Sequence, residues 1–118
     1  MSKPVGPYVP SASVDTGSGH VVYTSGQIGI VDGKIVDGGL EAELRQAFDN
    51  LQTVLSDVNA SLASVIKTTV FLVDMNDYVV MNEIYVEEFG DHRPARSAVA
   101  VAALPLGALV EIEAIAAT

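Results

Sequence analysis

Between Leu40 and Asn59 the apolar residues return every three or four positions: Leu40, Leu44, Ala47, Phe48, Leu51, Val54, Leu55 and Val58. That period lays an apolar stripe along one face of a helix and predicts an amphipathic helix over these residues. Upstream the pattern changes. His20 to Ile30 is rich in Val, Ile, Thr and Tyr and ends at Val31-Asp32-Gly33-Lys34. There Asp-Gly supplies the positive-φ pair of a tight hairpin before Ile35-Val36. Val65 to Leu72 is short and β-branched, a strand by composition and length. Tyr78, Met81, Tyr85 and Phe89 then fall at helical spacing, with Asn76 or Asp77 as the cap and Gly90 as the stop. Two more strands, Ala95 to Ala102 and Leu109 to Ala116, flank a loop holding Pro105 and Gly107.

The predicted order is β-β-α-β-α-β-β, without repeats or linkers, which suits an α+β fold of one sheet covered by two helices. If both helices lie on one face, the other still shows Val, Ile, Ala and Leu, and self-association is the simplest cover for it. Composition adds to that expectation. The 118 residues are 49% hydrophobic, more than one small globule needs, and their number fits a single domain. The absence of cysteine excludes disulfides, thiolate metal sites and cysteine nucleophiles. Met1-Ser2-Lys3-Pro4 leads into polar, glycine-containing sequence with no apolar signal core, and no run approaches the ~20 apolar residues of a membrane span. A cytoplasmic protein with no membrane partner is therefore expected. A net charge of -9 opposes phosphate backbones and anionic lipid, so nucleic acid is not an expected partner.

Against this acidic background, a cation inside an apolar strand needs a reason. Side-chain alternation puts Arg96 on one side of its strand with Ala98, Ala100 and Ala102. Small neighbours leave volume beside a planar five-donor fork, which suits bidentate capture of a carboxylate. An ion pair with Glu111 or Glu113 explains the same pattern, and strand position does not separate the two. Glu111 and Glu113 share a face of the last strand with Ile115; either an acid or base near a pocket or two solvated charges on an edge strand would read this way. Ser25-Gly26-Gln27 interrupts the first long strand, where glycine admits a close backbone or ligand or marks a bulge. No His and Asp stand at a spacing that would activate Ser25, so a ligand hydrogen bond is its better role. Tyr8, in an irregular amino-terminal arm, reads as an aromatic plug on the core more readily than as a lid over a ligand. Asn82, a mediocre helix former, either faces solvent or makes a specific hydrogen bond. His20 and His92 lack companion ligands, so no metal site is expected.

These segments resemble the RidA (YjgF) family of reactive-intermediate deaminases, also described as endoribonuclease L-PSP. The resemblance runs through Gly6-Pro7-Tyr8, Tyr23-Thr24-Ser25-Gly26-Gln27-Ile28, Gly38-Gly39-Leu40-Glu41-Ala42, Lys67-Thr68-Thr69-Val70-Phe71-Leu72 and Met81-Asn82-Glu83-Ile84-Tyr85. Its most specific stretch is Arg93-Pro94-Ala95-Arg96-Ser97, followed by Leu104-Pro105 and Val110-Glu111-Ile112-Glu113-Ala114-Ile115-Ala116. It implies a RidA-like domain over residues 1–118, with a bacillus-type chorismate-mutase-like fold: one mixed sheet and two helices on one face. It implies a homotrimer with sites between subunits. The implied activity is hydrolysis of enamines and imines such as 2-aminoacrylate and 2-iminopropanoate to a 2-keto acid and ammonia, with no cofactor or metal.

By the same resemblance Arg96 holds the substrate carboxylate and Glu111 positions the attacking water. Tyr8, Ser25 and Asn82 line the pocket, the Gly26 amide approaches the ligand, and the backbone carbonyl next to Ala98 helps hold the water. Many relatives carry cysteine where this chain has Ala98. Two other functions compete. A trimer that only binds keto acids needs Arg96 but not Glu111, and an endoribonuclease needs an RNA surface that Lys3, Lys34, Arg45, Lys67, Arg93 and Arg96 poorly supply.

Overall fold

A computed structural model describes residues 4–118. Met1-Ser2-Lys3, on which the reading of the amino terminus partly rests, lies outside the described residues. The strands are β1 (Ser11–Asp15), β2 (His20–Thr24), β3 (Ile30–Val31), β4 (Lys34–Ile35), β5 (Val65–Leu72), β6 (Ala95–Ala100) and β7 (Val110–Ala117). The α-helices are α1 (Gly39–Ser56) and α2 (Tyr78–Phe89). Five strands form one mixed sheet in the order β1-β2-β7-β5-β6, and only β5 and β6 run parallel. Both helices pack on one face, where Leu44, Phe48, Leu51 and Leu55 of α1 and Met81, Ile84 and Tyr85 of α2 meet Val22, Val70, Leu72, Val110 and Ile112 of the strands. Phe48 makes edge-on contacts with Tyr85 and Phe89, which seal the two helices together.

The periodicity of α1 and α2 carries straight into this core. Four details depart from the sequence reading. The amino-terminal arm contains a strand, β1, whose polar Ser-Ala-Ser-Val-Asp shows no apolar alternation and which forms by pairing with β2. His20 to Ile30 is not one strand but ends at Thr24. The Asp32-Gly33 turn does form, with φ of 51° and 80°, yet it joins β3 and β4 in a separate two-stranded sheet. Asp77 does take the N-cap position of α2, but without a side-chain bond; the capping bond belongs to Asp74, whose side chain accepts from the Asn76 amide and starts a short 3₁₀ turn ahead of the helix.

The second sheet face stays open, with Tyr23 and Val99 about half exposed and Phe71 and Ile115 partly so. A bulge between Val65 and Lys67 resets the alternation of β5, so Val65 and Thr68 both point into the core and Lys67 and Thr69 onto the open face. No helix among the described residues is long and apolar enough to cross a membrane.

Candidate functional site

Glu111 is the second residue of β7, and β7 lies in the middle of the sheet. The edge-strand alternative for Glu111 and Glu113 is thereby corrected: both are half-buried on the open face of a central strand, beside β5. Opposite Glu111 in the register stands Phe71, and opposite Glu113 stands Thr69. Burial pushes the Glu111 carboxyl above the usual carboxylate range, and repulsion from Glu113 adds to the shift.

After β2 ends, the chain crosses toward β7 and is pinned there by a two-way backbone bond: Gln27 N–H donates to the Ile112 carbonyl at 2.7 Å, and Ile112 N–H donates back at 2.9 Å. This bridge lays Gly26 directly on Glu111. A Cβ built on Gly26 would stand 2.6 Å from Glu111 Cδ, so glycine here serves close approach. Ser25 ties the same segment to the amino-terminal arm: its hydroxyl donates to the Val9 carbonyl at 2.6 Å and its amide to the Pro10 carbonyl at 2.8 Å.

That tie brings Tyr8 over the site. Tyr8, Ser25, Gly26, Pro105 and Glu111 line an open cleft of about 290 Å³. A smaller recess of about 40 Å³, bounded by Tyr8, Gly26, Gln27, Pro105 and Glu111, has room for a water beside the carboxylate. Tyr8 is 45% exposed, so the plug reading is corrected: it covers a cleft, not the core.

Arg96 belongs to β6, at the sheet edge, and faces the helices. Its guanidinium carbon lies 4.8 Å from the centre of the Tyr85 ring and 5.6 Å from that of Tyr78. Nη2 donates to the Tyr78 hydroxyl at 3.1 Å and Nη1 to the Met81 sulfur at 3.6 Å. Arg96 makes no ion pair with a carboxylate among the described residues, where the only bridges are those of Arg45 to Glu41, Glu87 and Glu88. The alternative of an ion pair with Glu111 or Glu113 is overturned, because register puts them on opposite faces: Arg96 is level with Thr68, whereas Glu111 is level with Phe71.

Beneath the fork the arrangement is rigid. The Tyr85 hydroxyl is bonded to Thr68 Oγ1 at 2.7 Å in the core, and burial raises its pKa. Asn82 lies one turn after Tyr78, and its Oδ1 is buried without a partner, an acceptor still waiting for a donor. Ala98 sits partly buried on the same side of β6 as Arg96.

The predicted residues therefore form two groups, one per sheet face. Tyr8, Ser25 and Gly26 join Glu111; Asn82 and Ala98 fall on the side of Arg96. Tyr78, Met81 and Tyr85 surround the guanidinium, but from sequence they read only as the apolar stripe of α2. Glu43 was also missed: it is 4% exposed, and its carboxylate accepts from the Leu109 amide at 2.8 Å, fixing the entry to β7. Its position three residues after Leu40 and next to Leu44, on the apolar side of α1, was the available signal. No cluster of three or more His, Asp or Glu able to hold a metal is present among the described residues.

One mixed sheet under two helices, with a half-buried carboxylate on one face and, on the other, a guanidinium paired with no carboxylate among the described residues, defines an α+β protein with a polar group set on each side of its sheet. The chain belongs to the Endoribonuclease L-PSP family, which matches residues 1–118. It is 46% identical over 114 residues to the 2-iminobutanoate/2-iminopropanoate deaminase of Mus musculus, covering 95% of this chain and 82% of that one. RidA from the Antarctic bacterium Psychrobacter sp. PAMC 21119 superposes with a TM-score of 0.91 at 36% identity, over 98% of this chain and 92% of the other. E. coli TdcF with bound serine gives 0.84 at 38% identity, over 98% and 91%. The α+β fold expected from sequence, a single mixed sheet with both helices on one side, is the fold of these relatives.

Proposed function

We propose that this chain hydrolyses 2-imino and 2-enamino carboxylates, of the 2-iminopropanoate and 2-aminoacrylate type, to 2-keto acids and ammonia. The observation that carries the proposal is the Arg96 fork: braced by Tyr85 and Tyr78, and not consumed by any carboxylate among the described residues. Relatives named as deaminases of this substrate class, at 43–46% identity to the human and mouse proteins, support the reading. A relative described with bound serine supports a small carboxylate as ligand.

In this mechanism Arg96 grips the substrate carboxylate through paired N–H donors. An enamine takes a proton at carbon, and an imine takes one at nitrogen, to reach the same iminium ion. Water held by Glu111 attacks the imine carbon; the carboxylate takes a proton from that water, and the C=N electron pair moves to nitrogen. Glu111 returns that proton to the nitrogen of the resulting carbinolamine; the C–N bond then breaks as the C=O forms, and the released ammonia takes up the hydroxyl proton. A carboxyl whose pKa is raised toward the working pH suits both halves of the exchange. No cofactor is needed.

Within one chain Arg96 and Glu111 face opposite sides of the sheet, so the reaction requires the Arg96 group of one copy beside the Glu111 cleft of another. A homotrimer with sites between subunits meets that requirement. The edge position of β6 and the uncovered apolar face support it, since both are places where a second copy can pack.

The test generates the imine in place with an amino-acid oxidase and follows keto-acid release. Arg96→Ala is expected to lose most of the rate enhancement; wild-type activity in that variant removes Arg96 from the mechanism. A keto-acid binder without turnover is the competing reading, and it predicts no acceleration by the wild-type protein.

A further inference from the structure

Tyr78 is the first residue of α2, and it is 38% exposed. Its hydroxyl accepts a hydrogen bond from Arg96 Nη2 at 3.1 Å. A phenol oxygen that accepts still carries its own proton, and Tyr78 donates that proton to no protein atom among the described residues. The other groups on the guanidinium differ. Met81 offers only sulfur, and the Tyr85 hydroxyl is already bonded to Thr68 in the core.

We infer that Tyr78 is a ligand-contacting, specificity-determining residue: its free hydroxyl proton is donated to the carboxylate that Arg96 holds, so the anion is gripped by a guanidinium and a phenol together. The inference rests on the reading of Arg96 as the carboxylate anchor. The geometry favours it because the hydroxyl lies within hydrogen-bond distance of Nη2, so a carboxylate oxygen that bonds Nη2 sits beside the phenol. Accepting from a cation also polarises the O–H and makes it a better donor. Two donors of this kind select an ionised carboxylate over its amide.

The experiment titrates the assembled protein with pyruvate and with pyruvamide, and measures turnover alongside. Tyr78→Phe removes the hydroxyl and keeps the ring on Arg96. It is expected to weaken pyruvate binding on the order of tenfold, as for loss of a hydrogen bond to a charged group. The loss should fall mainly on KM, and the preference for pyruvate over pyruvamide should shrink. In an Arg96→Lys background the same substitution is expected to cost several-fold again. Pyruvate affinity within twofold of wild type in Tyr78→Phe overturns the inference and leaves the anchor reading standing. No further loss in the Arg96→Lys background also overturns it, because the hydroxyl then acts only on the fork. If Arg96→Ala binds pyruvate like wild type, the anchor reading itself falls, and this inference with it.

Discussion

Replacing Gly26 with alanine adds one methyl group at the place where the β2–β3 connection rests on Glu111. The backbone at Gly26 lies outside the left-handed region, so alanine brings no backbone strain. The new Cβ would stand 2.6 Å from Glu111 Cδ and 3.0 Å from Cγ. Ordinary carbon contacts are about 3.5–4.0 Å, so the carboxylate has to retreat by roughly 1 Å. A side-chain end can do this cheaply, and the unfolding temperature is expected to change little, in line with a cost of about 0.5 kcal/mol or less. Catalysis is less forgiving, since a misplacement of about 1 Å costs on the order of a hundredfold. In the coupled oxidase assay kcat is thus expected to fall on the order of a hundredfold while thermal unfolding stays near wild type. Turnover within about threefold of wild type, with the carboxylate shown crystallographically to have moved, would refute the assignment of Glu111 to the reacting centre.

Glu111→Gln should abolish turnover while leaving pyruvate affinity intact, as measured by kinetics and calorimetry on one preparation; retained turnover would remove the proton-transfer role. The same variant has a signed pH effect. Because the folded Glu111 pKa is raised by burial and by Glu113, the native state holds its proton longer than the unfolded chain. Wild-type stability therefore falls as pH climbs from the ordinary carboxylate value through the raised one. Denaturant titrations should show Glu111→Gln gaining on wild type across that window, with the gap closing in acid; a gap that widens in acid contradicts the shift. In the core, Thr68→Val leaves the Tyr85 hydroxyl buried without its 2.7 Å partner and should cost about 1–3 kcal/mol in denaturant unfolding. Adding Tyr85→Phe should recover part of that loss, because both ends are then apolar, and a strictly additive double variant would show the bond to be inconsequential.

Local chemistry made much of this molecule legible. The three-and-four spacing from Leu40 to Val58 gave α1, the β-branched run gave β5, and Asp32-Gly33 gave its turn, because each depends on neighbours a few residues away. Alternation alone put Arg96 with Ala98 and Glu111 with Glu113 and Ile115, and both groupings stand in the fold. β1 escaped because Ser-Ala-Ser-Val-Asp has no apolar face; it is a strand only because β2 offers it an edge. The role of Tyr78 and Tyr85 around the guanidinium escaped because the same spacing serves a core stripe.

The sequence by itself determined both helices, the place of β5, the Asp32-Gly33 turn and which side chains share a face of β6 and of β7. Only the tertiary structure decided that β7 is central, that the Gln27–Ile112 bridge presses Gly26 onto Glu111, and that Arg96 and Glu111 point to opposite sides of the sheet. Periodicity is set within one segment, whereas strand order and register are set by pairing between segments far apart in the chain, where a shift of one residue exchanges the two faces.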